Sequence, residues 1–102
     1  MIDDFPESPQ EVVVEAVKRA AEKTNPAVVK VLEVHLRETT GRGFEVVYED
    51  VDAFLDSIKK LFGEYGGRFF ELAIVSEIRQ SVGFIRSSDS LREVLRELNI
   101  SR

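Results

Sequence analysis

The chain has 102 residues, of which 43% are hydrophobic and 32% charged, and its formal net charge at pH 7 is -5. This length and composition are typical of one soluble globular domain, and no apolar run approaches the roughly 18 residues that a membrane helix needs. The absence of cysteine excludes disulfides and thiolate ligands, and the acidic charge argues against non-specific binding to nucleic acid or to anionic membranes.

The first residues of the chain predict a tail outside the folded domain. They are acidic, carry no periodic pattern and contain no apolar segment of the kind found in a signal peptide. We expect a mobile acidic tail over residues 1–7, a single helical domain over residues 8–102, and a cytoplasmic protein. Few amide side chains, no cysteine and a high charged fraction indicate a heat-adapted source.

A capping box marks the start of the first helix. Ser8 has the position of the N-cap, Pro9 follows at the first helical position, and Glu11 comes three residues after the cap. An apolar stripe with helical spacing continues from there, with charged residues on the other side. The sequence therefore predicts a helix over about 9–23.

The second helix is predicted by a similar start signal but has a competing interpretation. Asn25 and Pro26 repeat the cap and the proline, so we expect a helix that runs to about Thr39 and stops at Gly41. The segment is rich in valine, and residues 28–48 also fit a β-hairpin, which would give an α+β fold. Adjacent apolar residues break the strict alternation of a strand, so we prefer the helix.

The middle of the chain predicts a third helix that ends at Gly63. Residues 44–48 are compatible with either an extended loop or a short strand. After them, Asp50 or Asp52 is placed to cap a helix, and Gly63 is a natural terminator. The apolar stripe of this helix consists of Phe54, Leu55, Ile58, Leu61 and Phe62.

The segment over about 64–82 is apolar on nearly every side. Two stripes with helical spacing need cover on two faces, so we expect this segment to be the fourth and central helix of the bundle. Gly66 and Gly67 near its start either form a bend or admit a neighbouring backbone. One stripe is Tyr65, Phe69, Leu72 and Ala73, and the other is Phe70, Ile74, Ile78 and Val82.

A second capping box predicts the last helix. Ser90 is the cap, Glu93 follows three residues later, and an apolar stripe runs from Leu91 to Leu98. With the four segments before it, this gives an all-α fold, a compact bundle of about five helices.

No pattern of residues points to catalysis. His35 is the only histidine, whereas a hydrolytic zinc site needs about three suitable protein ligands. The glycines before Arg68 match neither the phosphate-loop nor the dinucleotide pattern. A helix-turn-helix over 51–82 would present apolar side chains to base edges, where polar ones are needed. We therefore expect no enzyme activity, no cofactor and no metal.

Several large apolar residues lie outside every predicted stripe. Exposed residues of this kind mark association surfaces, so we expect a protein-interaction or regulatory module that forms a homodimer or binds another protein, with no membrane partner. These candidate interface residues are Phe5, Phe84, Ile85 and Ile100. The alternative is nucleic-acid binding through the arginines of the second half: Arg68, Arg79, Arg86, Arg92, Arg96 and Arg102.

The order of features from Val34 to Gly83 resembles a known family. A glycine-bounded loop is followed by an acidic stretch, the run SIKKLFG, the joint YGG, the run FFELAIVSEI and a closing glycine. This order resembles the Nitrosopumilus output domain family of small archaeal proteins, and its strongest residues are Phe54, Leu55, Leu61, Phe62, Gly63 and Ile74. The resemblance implies an all-helical fold and a role in signalling or as a free-standing small domain, with no catalytic motif.

Overall fold

The computed structural model describes residues 8–83 and 89–100. Over these residues the chain is all-α and contains no strand, so the hairpin alternative for 28–48 is wrong. The predicted helical bundle is confirmed. Its helices are α1 (Pro9–Thr24), α2 (Pro26–Thr40), α3 (Val46–Glu49), α4 (Val51–Ser81) and α5 (Leu91–Glu97).

The predicted caps form at the start of α1 and at its junction with α2. The Ser8 hydroxyl accepts the Glu11 N–H at 3.2 Å, and the Glu11 carboxylate accepts the Ser8 N–H at 3.1 Å. Asn25 ends α1 and also caps α2, because its side-chain oxygen accepts the Ala27 N–H at 2.9 Å. One residue therefore separates the two helices, and each cap satisfies backbone donors that the first turn leaves unpaired.

The valine-rich α2 is helical because its buried residues have helical spacing. Leu32 and Leu36, four residues apart, are fully buried, whereas Val31, which precedes Leu32, and Val34, which lies between the two leucines, face solvent. A strand would place residues 32, 34 and 36 on the same face. The helix ends at Gly41, which has the left-handed conformation expected of a helix terminator.

The segment that the sequence left open forms the short helix α3. Val46 and Val47 are neighbours in sequence and both are buried, which the alternation of a one-sided strand does not predict. In the approach to α3, the Glu45 carboxylate accepts the Gly43 N–H at 3.1 Å. Hydrogen bonds from the backbone N–H groups of Glu45 and Gly43 lower the pKa of the Glu45 carboxyl.

In the Glu45→Gln variant, the free energy of unfolding should fall less in acid than it does in the wild type. The pKa of Glu45 is lower in the folded protein than its ordinary value of 4.5, so the unfolded chain binds more protons in that range. The contribution of Glu45 is complete above pH 4.5 and is lost as the pH falls through the lowered pKa. Denaturant unfolding at a series of acidic pH values gives the free energy of unfolding as a function of pH. The slope of this curve should be shallower for the variant, and equal slopes for variant and wild type would contradict this role of Glu45.

The predicted third and fourth helices are the two arms of α4, which bends at Gly63. Gly63 has φ 85° and ψ 172°, a backbone conformation essentially restricted to glycine. We call residues 51–62 the first arm and residues 64–81 the second arm. A Cβ atom on Gly67 would lie 3.0 Å from the Lys59 Cα atom. These residues would be about 12 Å apart along a straight helix, so the arms fold back on each other at Gly67.

Helix α4, which contains the predicted third and fourth helices, contacts each of the other helices in the described part of the chain. The face of its second arm that carries Phe70, Ile74 and Ile78 is buried in the core with residues of α1, α2 and α5. Polar contacts also connect α1 to the second arm. Glu77, only 5% exposed, accepts hydrogen bonds from Arg19 at 3.3 Å and Lys23 at 2.5 Å, both on α1.

None of the helices in residues 8–83 and 89–100 combines the length and the apolar character required to cross a bilayer.

Candidate functional site

One of the two apolar stripes on the second arm is exposed at Tyr65 and Phe69 and half-buried at Leu72 and Ala73, which corrects the prediction that both faces are covered. Tyr65 is 92% exposed and Phe69 76% exposed, and they lie one helical turn apart. The opposite stripe takes the contacts with the core, and the neighbouring helices in the described residues do not extend over Tyr65 and Phe69. The exposure of these two aromatic side chains makes this face a candidate binding surface.

A groove of about 490 Å³ is lined by Phe69, one of the two exposed rings. One wall comes from the second arm and includes Phe69, Leu72 and Ala73, while Phe62 belongs to the end of the first arm. Phe62 is held in place by Phe70, since the ring centroids are 4.9 Å apart. Gly66 also lines the groove. We call Tyr65 and Phe69, with the groove walls Phe62, Gly66, Leu72 and Ala73, the aromatic surface.

The far end of the groove is polar. It is closed by Lys23 and Thr24 from the end of α1 and by Glu77 from the second arm. The Lys23 and Glu77 side chains pair with each other, so the charge at this end is compensated. The groove therefore presents apolar walls with one neutralised ion pair, which suits an apolar side chain better than a charged ligand.

A second cavity, of about 550 Å³, lies on the other side of Tyr65, between the two arms and α5. Four of its charged residues form two pairs: Arg92 binds Asp52, and Arg68 binds Glu71 at 3.1 Å. The other oxygen of Glu71 accepts the Leu91 N–H at 2.8 Å and so satisfies the start of α5. These contacts connect α4 to α5 around the cavity, so its paired residues have a structural role.

His35 has a structural contact. Its Nε2 lies 2.8 Å from the Ser57 carbonyl oxygen, which only accepts hydrogen bonds, so the imidazole donates at that nitrogen and ties α2 to the first arm. In the part of the chain that the structure describes, no group of three or more histidine, cysteine, aspartate or glutamate residues is placed to hold a metal ion.

The candidate interface residues from the sequence have different positions. Phe5, Phe84 and Ile85 lie outside the described residues. Ile100 is half-buried and packs against the hydrophobic core, so only part of its side chain is available to a partner. Of these four residues, the structure describes only Ile100, which is not part of the aromatic surface.

The sequence contained a signal for the exposed stripe that the prediction did not use. Continued along the helix, the stripe of Tyr65 and Phe69 meets the polar residues Ser76 and Gln80, both exposed. The other stripe continues with Ile78 and then Val82. The polar continuation indicates the side that faces solvent.

Comparison with solved structures identifies a similar archaeal protein. The crystal structure of PH0832 from Pyrococcus horikoshii OT3 superposes with a TM-score of 0.82 at 33% sequence identity, covering 88% of this chain and 93% of that chain. No protein with a curated description matches this chain. The model of the family described as Nitrosopumilus output domain 5 matches residues 7–100, well beyond the segment that carried the resemblance. The chain therefore belongs to the Nitrosopumilus output domain 5 family.

Proposed function

We propose that this chain is a non-enzymatic protein-interaction module that binds its partner through the aromatic surface. The observation that carries the proposal is the exposure of Tyr65 and Phe69 beside an apolar groove. Aromatic residues dominate the energetics of protein interfaces because each offers a large rigid area at a small entropic cost.

The area of the two rings is large enough to matter for binding. An aromatic side chain buries about 150–250 Å², so covering the two rings would remove about 300 Å² from water. At about 25 cal/mol per Å², this is roughly 7 kcal/mol before the costs of association are subtracted. The adjacent groove adds further area and offers a recess for a side chain of the partner.

A catalytic role has less support. A general acid or base must be free to exchange a proton with a substrate in a cleft. The least exposed carboxylates of the described residues, Glu71 and Glu77, are each engaged by groups of neighbouring helices. The His35 ring is engaged by the Ser57 carbonyl. These partners give each group a structural use, and we propose interaction in place of catalysis.

Nucleic-acid binding through the arginines, the alternative from the sequence, also has less support. Phosphate contacts need guanidinium groups that face outward as a positive patch. Arg86 and Arg102 lie outside the described residues. The other four bind carboxylates of the chain: Arg68 with Glu71, Arg79 with Asp89, Arg92 with Asp52, and Arg96 with Glu93.

The description of the family adds a regulatory aspect to the proposal. An output domain is, by its name, the part of a protein that delivers a response. A module without its own chemistry delivers a response by contacting another molecule, and the aromatic surface supplies such a contact.

The test replaces one exposed ring by a charge. Phe69→Asp should abolish binding to the partner, because a carboxylate in an apolar interface is costly to desolvate. Val31→Asp is the matched control, since Val31 is 51% exposed on α2 and lies outside the aromatic surface. Both variants should keep the helical circular dichroism spectrum.

Partners are captured from an extract of the source cell, identified, purified and bound again to each variant. We expect the dissociation constant to rise by at least about tenfold for Phe69→Asp and to stay within about twofold for Val31→Asp. A purified partner that binds wild type and Phe69→Asp equally would overturn the use of this surface.

A further inference from the structure

We propose that the partner of the aromatic surface is a second copy of this chain, with the second arms of α4 packed antiparallel about a two-fold axis at Phe69. The inference rests on the proposed function, because it names the partner of the same surface. Three properties of the second arm support it: the sizes of its exposed residues, the shape of the surface and the distribution of charge.

Large and small accessible residues lie at equal distances on either side of Phe69 on the second arm. In an antiparallel pair of second arms with its axis at Phe69, a residue before Phe69 faces the residue that lies equally far after Phe69 in the second copy. Two of these pairs join a large side chain to a small one. The pairs are Tyr65 with Ala73, and Leu72 with Gly66.

The same surface carries a projection and a recess. Tyr65 is 92% exposed, and the groove of about 490 Å³ includes Ala73 in its wall. In the two-fold arrangement, Tyr65 of each copy meets the groove of the other at Ala73, while the two Phe69 rings meet at the axis. A projection and a recess on a single patch are what a self-complementary, isologous interface requires.

The charge of the chain is also compatible with two copies meeting at this face. Residues 1–51 carry eleven acidic and six basic residues (6 - 11 = -5), and residues 52–102 carry eight of each (8 - 8 = 0). The second arm therefore belongs to the neutral half, and Tyr65, Phe69, Leu72, Ala73 and Ser76 are uncharged. Antiparallel helices also place opposite ends of their dipoles together.

The two exposed rings supply part of the area that a stable dimer needs. A standard interface buries about 800 Å² on each partner. The rings of Tyr65 and Phe69 supply about 300 Å² of this from each copy, and the walls of the groove add to it.

The test exchanges the projection and the recess. Ala73→Tyr places two tyrosines against each other, so the dimer dissociation constant measured by sedimentation equilibrium should rise at least about tenfold. The double variant Tyr65→Ala with Ala73→Tyr restores one large and one small residue in each pair, and its constant should return to within about threefold of wild type. Circular dichroism verifies that each variant is folded, and Val31→Asp should remain a dimer.

Two results overturn the second copy as partner. One is a wild type that stays monomeric at high micromolar concentration, and the other is a folded double variant that dimerises no better than Ala73→Tyr. If Ala73→Tyr does not fold, Phe69→Asp takes its place: a monomer supports the proposal and an undiminished dimer overturns it.

The same variants separate failure of this proposal from failure of the proposed function. If the wild type is monomeric and its purified partner does not bind Phe69→Asp, the surface binds a different protein. If Phe69→Asp changes neither the binding of the partner nor the oligomeric state, the surface is not an interface.

Discussion

Ile74→Ala is expected to lower the free energy of unfolding by about 2–5 kcal/mol, because it removes a fully buried side chain and leaves a cavity in the core. Phe69→Ala removes a larger side chain from the opposite face of the same arm. Phe69 is 76% exposed, so its replacement should change the stability of the monomer by less than about 0.5 kcal/mol.

Urea unfolding, followed by circular dichroism at low protein concentration, measures both values on the monomer. The comparison is sharp because the larger truncation is expected to have the smaller effect. A loss below about 1 kcal/mol for Ile74→Ala would contradict the burial of this face. A loss above about 2 kcal/mol for Phe69→Ala would mean that the ring packs within the monomer.

The crossing of the two arms predicts the second large effect. Gly67→Val should destabilise the protein by about 1–3 kcal/mol or more, because its Cβ would lie 3.0 Å from the Lys59 Cα and 3.2 Å from the Lys59 nitrogen. Both atoms belong to the backbone, so the contact is relieved only if the arms separate. The groove walls lie on both arms, so the same change should also weaken association through the aromatic surface.

Gly83→Val is the matched control for Gly67→Val. A Cβ on Gly83 meets no atom of residues 8–83 and 89–100 within 4 Å, and Gly83 has no positive φ, so the control should stay within about 0.5 kcal/mol of wild type. Thermal unfolding of both variants gives the comparison. Equal melting temperatures for Gly67→Val and Gly83→Val would show that the arms do not cross closely at residue 67.

The helix starts were predictable from the sequence because their signals are local. Ser8, Asn25 and Ser90 each accept a backbone N–H within three residues, so the cap forms from neighbours along the chain. The bounds of α1 and α2 differ from the predictions by one residue at their ends. Asp50, one of the two predicted caps, likewise accepts the Ala53 N–H at 3.1 Å.

The position of the candidate site had one local signal, the polar residues Ser76 and Gln80 that continue the exposed stripe. The two apolar stripes of the second arm have equal spacing, and the cover of one of them comes from helices that are distant in sequence. Glu77 illustrates this, since its contacts with Arg19 and Lys23 join residues more than fifty positions apart. The close crossing at Gly67 also depends on the bend at Gly63, which the sequence presented as a stop.

Photo-crosslinking from position 65 is the most direct measurement of whether a protein covers the aromatic surface. A photoreactive phenylalanine derivative in place of Tyr65 keeps an aromatic ring at the most exposed aromatic position of the described residues, and the same derivative in place of the exposed Glu22 is the control. Illumination in the source cell should give a protein adduct from position 65 and not from position 22. An adduct with twice the mass of the chain identifies a second copy. If position 65 yields no more adduct than position 22, the result contradicts the central claim that this surface binds protein.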